Sequence, residues 1–503
     1  SANFPGEFGG GVINLTTQAI PDEPFLKVSF GVSGDTETTF ENGLLYYGSD
    51  YDWFGFDDGR RDPVGGLQAY LDGDTPLSDF ATAVDPTTGL TPRQTVAVAL
   101  NKPNLNLLQK TDKLRPNFSG GLTGGTSFFV ADDAELGIIA TANLSNSLRN
   151  RNVLSQTPVR QETVTPADDF RRFVTDNRIL LNGLLGFGLE YGDQKIRWTN
   201  VYIRDVLKQA SLSQGRIIVG SGDDGFDKLI QQNGWFERQL IDSQVVGEFQ
   251  LGNDISLDLR GGYAQTDRES PYEYRFDYVR TNNPNDPFGD YFVNPLDNNL
   301  PGGQAAVAFS DLTEKLYYGG GDLTVPVTDS LSITAGAAYT DTQRYSERRA
   351  FQFTAPSNFP NGIALLRPDL LIAPAIIEAS NVPGFAAPGV SAPVDLRELT
   401  EDTPAFDARL KVMAGYLKGN LTPIEGLTID AGVRYEDGKQ TVAPAQVFTN
   451  QPNLGAVTAI ENSYWLPSAT ITYEFDNGLQ LRASASKTIA RPQFRELLLQ
   501  EYT

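Results

Sequence analysis

The sequence predicts an all-β fold, a transmembrane antiparallel β-barrel present in part. Three observations predict it: apolar and polar residues alternate with a period of two in segment after segment, tight turns join these segments in pairs, and a tyrosine stands at one fixed distance from several of the turns. The segment 464–486 shows all the parts. After Asp476, Asn477 and Gly478, the residues Leu479, Leu481, Ala483 and Ala485 alternate with Gln480, Arg482, Ser484 and Ser486. Before that turn, Trp465, Pro467, Ala469, Ile471, Tyr473 and Phe475 alternate with Leu466, Ser468, Thr470, Thr472 and Glu474. Period two is the mark of a strand with one apolar and one polar face, and Asn-Gly predicts a type I′ hairpin turn.

The unit recurs upstream. Leu427, Ile429, Ala431, Val433 and Tyr435 follow Glu425-Gly426; Leu331, Ile333, Ala335, Ala337 and Tyr339 follow Asp329-Ser330; Ile255, Leu257, Leu259, Gly261 and Tyr263 follow Asn253-Asp254. Each tyrosine falls eight residues after the first apolar position. On strands tilted near 40°, that spacing climbs roughly 20 Å, close to the height of a barrel's lipid-facing band, where aromatic girdles sit.

Composition removes several functions. The formal charge is −23, opposite to what phosphate neutralisation needs, so nucleic acid is excluded as a partner. With no cysteine and no histidine, disulfides, thiolate nucleophiles, imidazole bases and zinc held by either residue are excluded within this chain. No apolar run reaches the roughly 18 residues of a membrane-crossing helix. A mean hydropathy of −0.29 suits a wall whose lipid-facing and inward residues alternate. The chain opens on Ser1 with Met413 as its sole methionine, so the expectation is an internal fragment.

In order, residues 1–17 form a glycine-rich turn leading into Val12, Ile13, Asn14 and Leu15; with no GxxxxGK(S/T) motif and no helix pattern after it to make a phosphate loop, it reads as tight backbone packing with a strand end. The first strand is expected at 25–34. A long excursion, 35–113, follows, with Thr91 and Pro92 as N-cap and first residue of a helix reaching Asn101. Strands at 118–130 and 136–148 meet at 131–135, and strands at 177–191 and 195–207 meet at 192–194. Further hairpins turn at 252–254, 328–330, 423–426 and 476–478, which makes about thirteen strands. Residues 363–379 hold a short helix across 369–372. Every second connection has two to five residues and the others run from about 25 to 80, the asymmetry of short periplasmic turns and long extracellular loops. Bacterial barrels have an even number of strands, so this one is expected to be incomplete.

Three stretches carry a family resemblance. The first is Gly9, Gly10, Gly11, Val12 and Asn14; the second is the run from Trp53 to Arg61 with Asp57, Asp58, Gly59 and Arg60; the third is Ser486 followed by Arg491, Pro492, Phe494, Glu496 and Leu497. They resemble, in turn, the plug exit, a segment near the barrel start and the "SxxxxRPxFxEL" segment of TonB-dependent outer-membrane receptors. The resemblance implies that residues 1–22 close a plug domain and 23–503 form part of a barrel of about 22 strands. It also implies a Gram-negative outer membrane, the TonB energy-transducing complex as partner, and import of an iron-siderophore, cobalamin-like cofactor or oligosaccharide. Neither a resident cofactor nor catalysis is implied. The TonB box would lie upstream of Ser1. A passive porin and a soluble all-β binding module are the other readings.

Asp258, Arg260, Asp430, Arg434 and Arg482 fall on polar strand faces and are expected to face the lumen, where they serve either solute or as a solvated wall packed on the plug. Tyr263, Tyr339, Tyr435, Trp198 and Trp465 are girdle candidates, with stacking on a sugar or siderophore as the alternative. Arg491 and Arg495 flank Pro492, whose fixed φ suits a strand exit. The pairs Asp57-Asp58 and Asp223-Asp224 could hold calcium through oxygen, or be solvated acidic loops.

Overall fold

The computed structural model describes residue 6 and residues 20–160, 163–218, 225–297 and 302–498, with side chains undescribed at 158–160 and 163–167. The residues Gly9, Gly10, Gly11, Val12 and Asn14, and the pair Asp223-Asp224, lie outside the described residues.

The strand β1 (Phe25–Ser33) leads into an excursion holding β2 (Gly43–Leu45), α1 (Gly65–Leu71), α2 (Pro92–Ala99), α3 (Pro103–Asn106) and β3 (Gln109–Thr111). Then come β4 (Asn117–Ala131), β5 (Ala134–Arg160), β6 (Thr163–Tyr191), β7 (Gln194–Ile218), β8 (Gly225–Gln250), β9 (Ser256–Arg280), β10 (Gln304–Thr328) and β11 (Leu331–Thr354). A second helical excursion carries α4 (Asn361–Ala364), α5 (Pro368–Leu371), α6 (Pro374–Ser380) and β12 (Asp395–Glu398). The chain ends on β13 (Ala405–Ile424), β14 (Leu427–Ala445), β15 (Thr458–Glu474) and β16 (Gln480–Ser486). Apart from the paired β2 and β3, and β12 on the far end of β11, the strands lie side by side in chain order in one antiparallel sheet. Thirteen strands form that path, and the described strands do not close into a barrel.

The turns show why the hairpins form where the sequence places them. Asn253 and Asp254 both have positive φ, 49° and 59°, a region these two residue types tolerate better than most. The turn at 476–478 differs from the expected type I′. Gly478 alone has positive φ, 80°, and Phe475 and Leu479 close a three-residue loop through N–H to carbonyl bonding at 2.8 Å. The helix signals hold: Thr91 Oγ1 accepts from the Gln94 N–H while Gln94 Oε1 accepts from the Thr91 N–H, and Pro92 opens α2, which stops at Ala99 rather than Asn101. The short helix expected at 369–372 is α5, flanked by two more.

Loop lengths need correction. Strands expected to stop at 148 and 207 continue to Arg160 and Ile218, and the strand expected from 177 starts at Thr163. The connections between β5 and β6, and between β7 and β8, are therefore short, and the excess residues extend the ladder. Asn150, Arg151, Asn152, Asp168 and Asp169 are polar on both faces, so period two vanishes there while backbone pairing persists, for example Arg151 with Val174. The excursions 35–113 and 355–404 remain long.

Register partners keep one face continuous across the sheet: Leu122, Ile138, Phe187, Trp198, Val245, Leu259, Leu323, Ile333, Leu417, Ile429 and Ile471 all share it. Near the tight turns these residues stay open, and Leu417 is 53% exposed. Further from the turns the same face is roofed by the two excursions. There Phe351, Phe353, Tyr274 and Phe276 pack in one cluster with Leu67, Leu100, Leu371 and Ile377. Buried Arg349 ties this roof down, giving hydrogen bonds to both carboxylate oxygens of Glu398, which also accepts from the Tyr70 hydroxyl. Burial and the adjacent Glu398 charge push the Tyr70 phenol well above its ordinary range.

Candidate functional site

Two surfaces of the sheet carry chemistry. On the apolar face of six strands, the residue that ends the apolar stretch is aromatic, and the next residue on that face is polar. Tyr202 is followed by Arg204, Tyr263 by Gln265, Tyr317 by Lys315, Tyr339 by Asp341, Tyr435 by Asp437 and Trp465 by Ser463. Neighbouring aromatics touch: ring centroids are 5.0 Å apart for Tyr263 and Tyr317, and 4.9 Å for Tyr435 and Trp465.

The line they draw is oblique to the hydrogen-bonded rows. Successive register partners lead from Tyr202 through Ile241, Gln265, Lys315, Gln343, Arg409 and Thr441 to Ala459. Tyr263 and Tyr317 lie two residues nearer the tight turns than that row, Tyr339 four, and Tyr435 and Trp465 six. A drift of about one residue per strand, with 3.3 Å rise and 4.8 Å spacing, corresponds to strands inclined by about 30° to the aromatic line. Strands in barrels are tilted by a similar amount, so a level boundary must cross their rows on the slant. Trp198 lies four residues below Tyr202 on the same face, stacked on Phe187 at 5.3 Å, inside the band rather than at its edge.

The polar face has two built regions. Near β14 the buried carboxylate of Glu436 accepts from the Gly6 N–H at 2.9 Å, from Arg434 Nε at 2.7 Å and from Arg491 at 3.0 Å. The segment after β16 folds back here. Pro492 O accepts from Gln440 Nε2 at 2.8 Å, and Phe494 is buried against Ala408 and Val442. Arg491, Pro492 and Phe494 thus dock onto the polar face of β13 and β14 and do not simply end a strand.

The second region is a depression of about 700 Å³ lined by Arg149, Asp176, Arg178, Asp205, Leu207, Phe236, Arg238 and Arg268 among others. Arg178 forms a two-pronged pair with Asp205, at 2.7 and 2.8 Å, and Asp176 is held by Arg151 at 2.7 Å and Gln209 at 2.7 Å.

Of the residues expected from sequence, Arg260 pairs with Asp322 at 2.6 Å beside Asp258, and Asp430 accepts from Asn420 at 2.9 Å. Arg434 is buried on Glu436, and Arg482 is exposed, donating to Thr472 Oγ1 at 3.3 Å. All lie on the polar face, but they are spread across it and do not converge. The arginine depression was not anticipated, because it gathers residues of five strands, β5 to β9, whose meeting depends on the register between strands. Asp57 and Asp58 face arginines: Arg61 contacts Asp57 at 2.5 Å and Arg60 contacts Asp58 at 3.4 Å, which supplies these carboxylates with cations from the chain itself. Among the described residues no cluster of three or more carboxylates is arranged to hold a metal ion.

Residues 379–501 match a family model described as TonB dependent receptor-like, beta-barrel. No curated protein matches the chain. Among solved structures, the siderophore receptor PiuA from Acinetobacter baumannii aligns over 73% of this chain and 72% of its own at 9% identity and a TM-score of 0.21. A mutant of the ferric enterobactin receptor PfeA from Pseudomonas aeruginosa aligns over 74% and 72% at 9% identity and a TM-score of 0.12, and both scores are too low to equate the folds. The family match takes in β13 to β16, so this part of the antiparallel sheet is similar to the barrel of TonB-dependent receptors.

Proposed function

We propose that this chain forms the wall of an energy-coupled importer in the outer membrane of a Gram-negative bacterium, taking up a scarce solute such as an iron-siderophore, cobalamin-like cofactor or oligosaccharide. The oblique aromatic line is the observation that carries the reading. Below it the exposed Leu, Ile and Val side chains meet lipid hydrocarbon, and above it the excursions roof the strands outside the membrane. The polar face is the lumen side, along which solute passes. Residues 1–22 end a plug, and the bond from Gly6 to Glu436 ties it to the wall. Partner TonB supplies the force that rearranges the plug.

The test uses the full-length protein in its own membrane. Extraction only by detergent, an unheated sample that migrates differently from a boiled one, and uptake that stops when TonB or the proton gradient is removed are the expected results. Uptake that persists without energy would instead make it a porin, and recovery in the soluble fraction would remove the membrane reading altogether.

A further inference from the structure

We infer that the excursion segment 47–56 is a membrane-surface anchor on the outside of the wall, with Tyr47, Tyr51 and Trp53 dipping into the headgroup layer of the outer leaflet. It rests on the importer reading only for the presence of a membrane, and it gives the segment to lipid, not to solute.

The aromatic line has a gap over β5 and β6. From β7 to β15 the line drifts toward the tight turns by about one residue per strand, so running it back places it about one residue beyond the Tyr202 row on β6 and about two beyond it on β5. That row holds Gly183 and Ala142. The line therefore crosses the apolar face beside Gly183 and Leu181 on β6 and at Leu144 on β5, positions without an aromatic ring.

The segment lies just above this gap. Asn146, Ile179 and Val206 form one register row, two residues beyond Leu144, and the segment runs along it. Asn146 Nδ2 donates to the Trp53 carbonyl at 2.6 Å, and Arg204 Nε donates to the Gly55 carbonyl at 2.6 Å. Gly55 has a φ of 89°, and a Cβ there would stand 3.3 Å from Ile179, so the backbone rests directly on β6. The Arg204 guanidinium covers the Phe56 ring at 4.4 Å. Two residues along a strand inclined by roughly 30–40° amount to about 5 Å of height, within a headgroup layer of roughly 5–8 Å.

Burial in the segment is inverted relative to a solvated loop. Asp52 and Arg61 are inside, 6% and 4% exposed, joined by bonds of 2.7 and 3.0 Å, and Lys208 Nζ donates to Asp52 at 2.7 Å. Tyr47, Tyr51 and Trp53 are outside, 54%, 51% and 52% exposed. Water would favour the opposite arrangement, whereas an interface accepts this one, because Tyr and Trp set a ring against hydrocarbon and a polar tip among headgroups. The rings are also connected: the Phe54 centroid lies 5.7 Å from Tyr51, 4.8 Å from Trp53 and 5.2 Å from Phe56. The patch thus continues the lipid-facing surface below it, held in place by the buried charges.

The test puts a bimane fluorophore, close to an indole ring in size, on single cysteines of the full-length protein made otherwise free of cysteine. The protein is reconstituted in phosphatidylcholine vesicles carrying a nitroxide on the headgroup or at mid-chain. Met413→Cys, in the apolar band, reports the membrane. Ser78→Cys reports the top of the roof, since the Ser78 N–H donates to Glu401, just past the strand β12 that pairs with the far end of β11. Trp53→Cys is expected to be quenched by the headgroup nitroxide at least about twofold more than Ser78→Cys, and by the mid-chain nitroxide less than Met413→Cys. Tyr51→Cys, with Trp53 intact, should give the same pattern, which guards against distortion by the first label. Positions 53 and 51 quenched no more than 78, while 413 is quenched, overturn the anchor and leave the importer reading standing. Mid-chain quenching at 53 equal to that at 413 also overturns it, because the segment would then lie in hydrocarbon. Absence of quenching at 413 sinks the membrane reading and the anchor with it.

Discussion

Asp311 and Glu269 stand directly opposite each other on β10 and β9, two carboxylates with no cation between them. The row continues on both sides, since Glu237 is the register partner of Glu269 and Glu347 that of Asp311. The outer two have partners: Glu237 takes Arg204 at 2.6 Å and Trp235 Nε1 at 3.1 Å, and Glu347 takes the Tyr345 hydroxyl at 2.7 Å. Among the described residues no hydrogen bond or ion pair serves the side chains of Glu269 and Asp311. Asp311→Asn is therefore expected to stabilise the protein at neutral pH by up to about 1 kcal/mol, the scale of a cross-strand charge pair. Thermal unfolding at pH 7 and at pH 4 checks this, because the gain should shrink as the wild-type carboxylates take up protons. A loss of stability at pH 7 would show that the row is answered by a cation.

Leu417 lies inside the apolar band on β13, while Lys411 lies beyond the aromatic line on the same face. Leu417→Arg is expected to lower folding stability in lipid vesicles by about 2–4 kcal/mol, and Lys411→Ala by less than about 1 kcal/mol. Reversible unfolding from vesicles measures both, and equal effects would place the boundary elsewhere.

Arg349 joins the roof to β11 through Glu398, and both side chains are buried. Arg349→Ala leaves Glu398 without its cation, at a cost of about 3–5 kcal/mol to the roof. Proteolysis should then cut residues 355–404 far faster, while the strands stay protected. Unchanged cleavage would mean the excursion is held by its apolar cluster alone.

Glu436 gathers Gly6, Arg434 and Arg491 on one carboxylate. In Glu436→Ala both arginines lose that acceptor, so hydrogen exchange is expected to speed up at residues 487–498, with a stability loss of about 3 kcal/mol. Glu436→Gln should fall between, since it keeps an acceptor but not the charge. Exchange confined to β14 alone would show that the return segment is held independently.

Much of the fold was legible because adjacent residues of a strand fall on opposite faces, one apolar and one polar. Wherever that contrast acts, as from Leu427 to Tyr435, period two assigns strand, face and turn together. Beyond the aromatic line both faces of β5 and β6 meet water or polar roof residues, so Asn150, Arg151 and Asn152 carry no alternation and read as loop although their backbone is paired. The candidate site suffered most from this. Arg434 could be placed on the polar face from its neighbours, whereas Arg238 and Arg268 could not be seen as partners, since their opposition depends on how β8 registers against β9.

The sequence by itself determined that the chain is antiparallel β, where its tight turns fall, which residues share the apolar face, and that histidine and cysteine chemistry is excluded. Those properties follow from residue type and from spacing along one strand. Tertiary structure alone decided the length of the strands, the roofing of the apolar face beyond the tyrosines, the docking of residues 487–498 onto Glu436 and Ala408, and the meeting of Arg238 with Arg268. Each depends on alignment between strands, which hydrogen bonds set across the sheet and no local pattern encodes.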